Sequence, residues 1–358
     1  MHSTMSMLRA LVGTLRSARH APRLAAALVP DDAVLLDAPD ERLAPALVAA
    51  ALGDPEPAAK LLATTRDAGE WEDRDRYVTR LATFAYNRGD WLTRWVSAAP
   101  RDPDALLVTA QLAVRRAWES PARAERLREL APLVQEIAGE APHDPVPWRL
   151  ALDHARGAHA GPGVFESLWE QAVRRSPHHY GCHVAALKYL SAQWYGSHRA
   201  AFDFAEQAAD DAAPGSLVGA LPVRAAYDVL RAPTGPDRFV PIARVDRAVA
   251  RALALSAEFP AGDPWPAEVR NLLAYVLVER ARWEEAWEEF GRIGPYATSF
   301  PWGAARGAAP QDPPPSSRLR SSTGDPLLRF LAARDRVRGE LARRTPLGPV
   351  RRTGVGHR

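Results

Sequence analysis

The sequence has one cysteine, Cys182, and only two lysines, Lys60 and Lys188, among 358 residues. A single cysteine excludes an internal disulfide and is typical of a protein in a reducing compartment. The longest apolar-rich stretch, residues 43–52, contains Pro45 and is about half of the length that spans a membrane. We therefore expect a cytoplasmic protein without a transmembrane segment.

The sequence signatures of several common enzyme classes are also missing. Neither lysine follows a glycine, so a P-loop is excluded, and there is no G-x-G-x-x-G, G-x-S-x-G, H-E-x-x-H or C-x-x-C motif. Ser216 stands beside glycines at a spacing that does not suit a nucleophile, and we expect it to cap a helix instead. The sequence therefore predicts no catalytic residue, no cofactor and no enzymatic activity.

Proline, in contrast, recurs along the chain at intervals of 35 to 46 residues, which is the range of two-helix repeats. The series consists of Pro57, Pro100, Pro142, Pro177, Pro214 and Pro260. The pattern Ala-Pro-x-Asp-Pro occurs at 99–103 and again at 141–145, each time before an apolar run. Because proline stops one helix and a following Asp can cap the next, the series predicts joints between helices.

Two segments, residues 81–95 and 273–287, align without gaps and share Leu-Ala at the start and Trp-x-x-x-Trp at the end. Tryptophans four residues apart lie on one helix face. Either a true repeat or two unrelated amphipathic helices accounts for this match. Five tryptophans have the spacing of packing residues, namely Trp91, Trp95, Trp169, Trp283 and Trp287. Four others fall near joints, where one could anchor a partner, namely Trp71, Trp118, Trp265 and Trp302.

These units resemble tetratricopeptide repeats, in which W-x2-L-G-x2-Y is followed by A-x3-F-x2-A and a proline. The matching positions are Trp148, Phe165, Trp169, Ala172 and Pro177 in one unit, and Leu273, Ala274, Ala286 and Phe290 in a later one. Phe165 and Arg94 depart from the small residues of the family pattern. The resemblance implies an all-α, right-handed and degenerate helical-repeat solenoid over residues 31–302. Its expected role is a scaffold that presents a concave surface to a protein or peptide partner.

Residues 186–209 carry a W-x-G-S motif before an amphipathic helix pattern. The matching residues are Trp194, Gly196, Ser197, Phe204 and Ala205. This stretch resembles a family of uncharacterised bacterial proteins whose function is itself unassigned. The resemblance therefore bears on the fold and not on the activity.

His179, Cys182 and His183 would share one face of a continuous helix and could offer nitrogen and sulfur ligands to zinc. On this interpretation the protein would be a metal-dependent enzyme. The repeat register favours another interpretation, because it starts a helix near His179 or Tyr180. It then leaves His179 at a joint and puts His183 at a packing position.

The net charge of +3 is unevenly distributed. Residues 1–30, expected to form a basic N-terminal helix, carry four arginines and no acidic residue, and residues 318–358 carry eleven arginines and three acidic residues. The segment between them is therefore net acidic. Basic ends could bind nucleic acid or an anionic membrane, but the tail lacks the interleaved aromatics that stack on single strands.

The end of the chain divides into two parts. Residues 303–324 are rich in Pro, Gly, Ala and Ser and predict an extended linker, and residues 325–358 predict a helix followed by a basic tail. We expect the helix to dock on the last repeat, because terminal units of a solenoid need their apolar edge covered. Nothing in the sequence specifies an oligomeric state.

Overall fold

The computed structural model describes residues 28–232, 240–303 and 325–344. Across these ranges the chain forms seventeen α-helices, and its only strands are two that are two residues long. The prediction of an all-α protein is confirmed. Nearly all of the N-terminal helix expected at 1–30, nearly all of the 303–324 linker and the end of the basic tail lie outside the described residues. None of the described helices is long and apolar enough to cross a membrane.

The helices and strands follow one another along the chain with short connections. In chain order they are β1 (Leu35–Leu36), α1 (Leu43–Ala51), α2 (Glu56–Ala68), α3 (Trp71–Asn87), α4 (Asp90–Ala98), α5 (Pro103–Trp118), α6 (Arg123–Glu129), α7 (Ala131–Gly139), α8 (Val146–Gly157), α9 (Pro162–Arg175), α10 (Tyr180–Tyr189), α11 (His198–Asp210), α12 (Leu221–Arg231), α13 (Ile242–Glu258), α14 (Ala267–Glu279), α15 (Trp283–Ile293), β2 (Tyr296–Ala297), α16 (Ser299–Trp302) and α17 (Pro326–Arg344). Short 3-10 turns occupy Asp31–Ala33 and Leu217–Ala220.

Five of the six prolines lie at joints between helices, as expected, whereas Pro57 lies inside the first turn of α2. Asp102 illustrates the local reason, because its carboxylate accepts hydrogen bonds from the backbone N–H groups of Asp104 and Ala105 and so caps α5. Two helices separate Pro142 from Pro177, and two separate Pro177 from Pro214. The longer intervals before Pro142 each contain a third, short helix.

The chain divides into two compact units. The described part of the smaller unit comprises residues 28–36, 260–303 and 325–344, and that of the larger unit comprises residues 37–232 and 240–259. This grouping separates residues 260–303 from the rest of the expected 31–302 repeat domain. The boundaries drawn from the sequence stay predictions.

In the smaller unit α17 packs against α14, α15 and α16, which is the docking expected from the sequence. Phe330 is fully buried, and its ring lies 5.2 Å from that of Phe290 and 5.6 Å from that of Trp302. The contacts among these three aromatic rings therefore hold α17 in place. In the same unit β1 and β2 pair in parallel, with Leu35 opposite Tyr296.

The paired glutamates of α15 have the spacing of a solvated helix face, but Glu289 is fully buried. Its carboxylate lies 4.0 Å from the equally buried guanidinium of Arg270 and 3.0 Å from that of Arg292. Burying a carboxylate is costly unless it is paired, and these two arginines supply the pairing. Local spacing cannot predict this exception because Arg270 lies on the preceding helix.

Candidate functional site

The first turn and a half of α3 is the structural centre of the larger unit. We call residues 71–75 (Trp-Glu-Asp-Arg-Asp) the hub segment. Helix α3 packs against α2, α4 and α5, and also against α8 and α10, which follow much later in the chain. The side chains of the hub segment supply polar contacts to these later helices.

Arg74 lies at the middle of this network and is almost completely buried. Its Nε donates to Asp144 at 2.6 Å, its Nη2 donates to Asp104 at 2.6 Å, and its Nη1 donates to the carbonyl of Leu62 at 2.9 Å. Burial alone would lower the pKa of Arg74. The two carboxylates raise it by a larger amount, so the pKa lies above its ordinary value. Arg66 also pairs with Asp104. One buried cation thus connects α2, α3, α5 and the joint before α8.

Asp75 connects the hub segment to α8 through Arg149. The two groups approach to 2.7 Å, and Arg149 also reaches Asp153 at 3.1 Å and the side-chain oxygen of Gln111 at 2.7 Å. Burial opposes the charge on Arg149, but Asp75 and Asp153 raise its pKa above the ordinary value. The guanidinium therefore remains charged and fully paired inside the unit.

Glu72 and Asp75 also hold the start of α10. Glu72 accepts a hydrogen bond from the backbone N–H of Tyr180 at 2.7 Å, and burial raises the pKa of its carboxyl. The Asp75 carboxylate lies so close to Gly181 that a Cβ there would overlap it. Acidic groups stabilise a helix N-terminus, where backbone N–H groups have no partner within the helix.

His179, Cys182 and His183 lie at this same joint, where the structure shows the predicted joint capping and core packing. His179 is fully buried, and its Nδ1 accepts from the backbone N–H of Cys182 at 3.2 Å. The Nδ1 of His183 lies 2.9 Å from the carbonyl of His179, and its ring meets Trp169 edge-on at 5.0 Å. Each of these two side chains thus already has a structural contact.

Cys182 is also occupied by a structural contact. Its Sγ contacts the carbonyl of Pro145 at 3.9 Å, and burial raises the pKa of the thiol, which favours the protonated form. Within the part of the chain that the structure describes, no three His, Cys, Asp or Glu side chains are arranged to hold a metal ion.

The W-x-G-S motif forms the turn between α10 and α11. A Cβ at Gly196 would lie 2.6 Å from the carbonyl carbon of Leu190, so only glycine fits there. Ser197 is the N-cap of α11, since its hydroxyl accepts from the backbone N–H of Ala200 at 3.0 Å. These two residues of the motif therefore have a structural role.

The aromatic residues of the motif pack against earlier helices. Trp194 meets Trp118 edge-on at 5.6 Å, and the guanidinium of Arg156 lies 4.5 Å from the Trp118 ring and 5.1 Å from the Trp194 ring. Phe204 packs on Trp169 at 5.6 Å. Cation–π stacking of this kind stabilises the packing of the turn between α10 and α11 onto α5 and α8.

Two neighbouring cavities open beside the hub segment. The first has a volume of about 400 Å³ and is lined by Trp71, Pro142, His143, Gln171, Arg174 and Arg175. The second, of about 270 Å³, shares three of these residues and extends along α5 and α7. The first volume lies within the range of about 300–1,000 Å³ that is typical of ligand sites, and the second lies just below it. The half-buried indole of Trp71 forms part of the wall of both cavities.

The sequence indicates this region only in part. It marks the joints at Pro142 and Pro177 and the position of Trp71 near a joint, but not the hub segment or the two arginines at the end of α9. The signal for the hub is the run of five consecutive charged residues at 72–76, at the start of a helix, where a solvated face is the usual explanation.

Comparison of the chain with protein-family models, curated proteins and solved structures finds no match in any of the three. The resemblance to tetratricopeptide repeats and to W-x-G-S proteins therefore stays a prediction. The structure itself defines an all-helical protein with a paired, buried polar network beside two open cavities.

Proposed function

We propose that this protein is a non-catalytic scaffold that binds a protein or peptide partner at the two cavities beside the hub segment. The observation that carries the proposal is that the cavities adjoin and share Trp71, Pro142 and His143. Together they form one site whose wall includes the indole of Trp71. A site of this form suits an extended segment of polypeptide, and aromatic anchors are enriched where partners bind.

The rigid surroundings of the cavities support the same function. Arg74 and Asp144, which line the second cavity, are buried and form an ion pair with each other. A wall held by paired charges loses little conformational freedom when a partner binds, and such preorganisation favours affinity. The proposal includes a right-handed tetratricopeptide-like solenoid for the helix pairs, a cytoplasmic location and no cofactor.

The alternatives have less support among the described residues. A metal-dependent enzyme would need His179, Cys182 and His183 to leave their present contacts. A nucleic-acid or membrane adaptor would depend on the basic termini, of which only a part is described. At the end of α17, exposed Arg343 already pairs with Glu340 at 2.6 Å, and the guanidinium of Arg344 lies 6.0 Å from the Trp283 ring.

Site-specific photo-crosslinking tests the proposal. A photoreactive amino acid at His143, which is exposed at the mouth of both cavities, should crosslink a specific polypeptide in the organism that encodes the protein. The matched control places the same group at Val164, which is 57% exposed and outside the cavities. Identical crosslinked products from both positions, or none from position 143, would contradict the proposal.

A further inference from the structure

The first cavity has an uncompensated positive charge. Of its six lining residues two are arginines, the last two of α9, and none is acidic. Arg174 is exposed and forms no ion pair with any residue in the described ranges. The two arginines that line the second cavity, Arg66 and Arg74, pair with carboxylates instead.

Arg175 is held in place without a carboxylate. Its guanidinium lies 4.3 Å from the Trp148 ring, and it donates to the carbonyl of Ala141 at 3.3 Å and to the side-chain oxygen of Gln171 at 3.0 Å. Burial and the neighbouring charge of Arg174 lower the pKa of Arg175. An anion in the cavity would offset this repulsion, and guanidinium groups bind carboxylates with well-defined geometry.

The second cavity has a different chemistry. Its wall contains apolar side chains from α5 and the end of α7, namely Leu106, Leu107 and Ile137. Its two cations, Arg66 and Arg74, are paired with Asp104 and Asp144. The remaining acidic residue of the lining, Glu140, is exposed, so the cavity offers apolar contact without an unpaired buried charge. It suits one large apolar side chain.

We propose that the two cavities together bind an acidic peptide segment. One large apolar side chain of the segment occupies the second cavity, and neighbouring Asp or Glu carboxylates contact Arg174 and Arg175 in the first. Trp71, which borders both cavities, contacts the peptide between these two anchors. This inference rests on the proposed function. It specifies two properties of the partner, namely its negative charge and its large apolar anchor residue.

Selection from a displayed library of random twelve-residue peptides tests the inference with the full chain. We expect the selected peptides to contain a large apolar residue next to two or more acidic ones. Synthetic copies should bind Arg174→Glu about tenfold or more weakly than the wild type, because a charge-assisted contact is replaced by repulsion. Their affinity should also fall steeply when salt is raised.

The matched control is Arg199→Glu, an exposed arginine on α11 away from both cavities, which should leave the affinity unchanged. Arg174→Lys should restore most of the binding, which separates loss of charge from loss of fold. Because the side chains of Arg174 and Arg199 are both exposed, all three variants are expected to melt at the wild-type temperature.

Three results would overturn the inference. Selected peptides without acidic residues, or equal binding to the wild type and Arg174→Glu, would exclude the acidic partner but leave the scaffold function intact. Failure of the wild type to select any peptide above a bare support would contradict both the inference and the proposed function.

Discussion

At the scale of single residues, the backbone of Leu190 leaves no room for a side chain at Gly196. In Gly196→Ala the new Cβ would overlap a carbonyl group that cannot rotate away. We expect a loss of about 1–3 kcal/mol in the free energy of unfolding, as for other overpacked sites. Urea denaturation measures it. Gly163→Ala is the control, since a Cβ there meets nothing within 4 Å, and an equal loss in both variants would contradict the explanation.

Arg74 is the residue on which the buried network depends. In Arg74→Ala, Asp144 would lose its cationic partner and Asp104 one of two, although both carboxylates are buried. We expect a loss of about 3–5 kcal/mol, the usual effect of breaking a buried ion pair. Urea denaturation measures this change as well. The control is Arg126→Ala, whose exposed pair with Glu129 is expected to contribute about 0–1 kcal/mol.

At the scale of helices, the start of α10 depends on the side chain of His179. Removing this acceptor in His179→Ala should cost about 0.5–2 kcal/mol, the range for loss of an N-cap. His179→Asn keeps an acceptor and should recover part of the loss. If the histidine were instead a zinc ligand, the wild type would contain zinc by elemental analysis and would lose stability with a chelator, and Asn would not rescue it.

Helix α17 offers a comparison within one element. Phe330→Ala would remove a fully buried ring from the cluster with Phe290 and Trp302, at an expected cost of about 3–5 kcal/mol. Leu328, two residues earlier, is 63% exposed, and Leu328→Ala should have little effect. Thermal unfolding of the two variants measures the difference, and similar melting temperatures would show that α17 is not docked in solution.

The sequence could predict features that depend on near neighbours. The proline joints, the start of α10 and the cap by Ser216 follow from turn and capping chemistry within a few residues. It could not predict the contact of Glu72 with Tyr180, which are 108 residues apart. Helical periodicity predicts which face of a helix is apolar. It does not predict which later helix will cover a charged face.

The same limit applies to the candidate site. Trp71 and Pro142 are recognisable near joints, whereas Arg174 and Arg175 resemble the cations that commonly end a helix. Only their arrangement around a cavity without a carboxylate distinguishes them. The binding site is therefore a property of how the helices pack, and charge counts along the chain do not reveal it.

At the scale of the whole molecule, the proposed solenoid makes a prediction about local stability in the larger unit. In an ideal linear repeat each helix pair contacts only its neighbours, and protection from hydrogen exchange falls gradually towards the ends. In this chain α3 also contacts α8 and α10 through the hub segment. We therefore expect α3, α8 and α10 to open together, as one cooperative unit.

Hydrogen exchange followed by mass spectrometry checks this expectation. Helix α1 packs mainly against α2, α3 and α4 and exposes Val48 and Leu52, so its amides should exchange about tenfold or more faster than those of α8. Arg74→Ala should accelerate exchange in α8 and α10 as well as in α3, whereas Arg126→Ala should not. Acceleration confined to α3 would mean that the hub segment does not couple these helices, and the unit would then behave as a simple linear array.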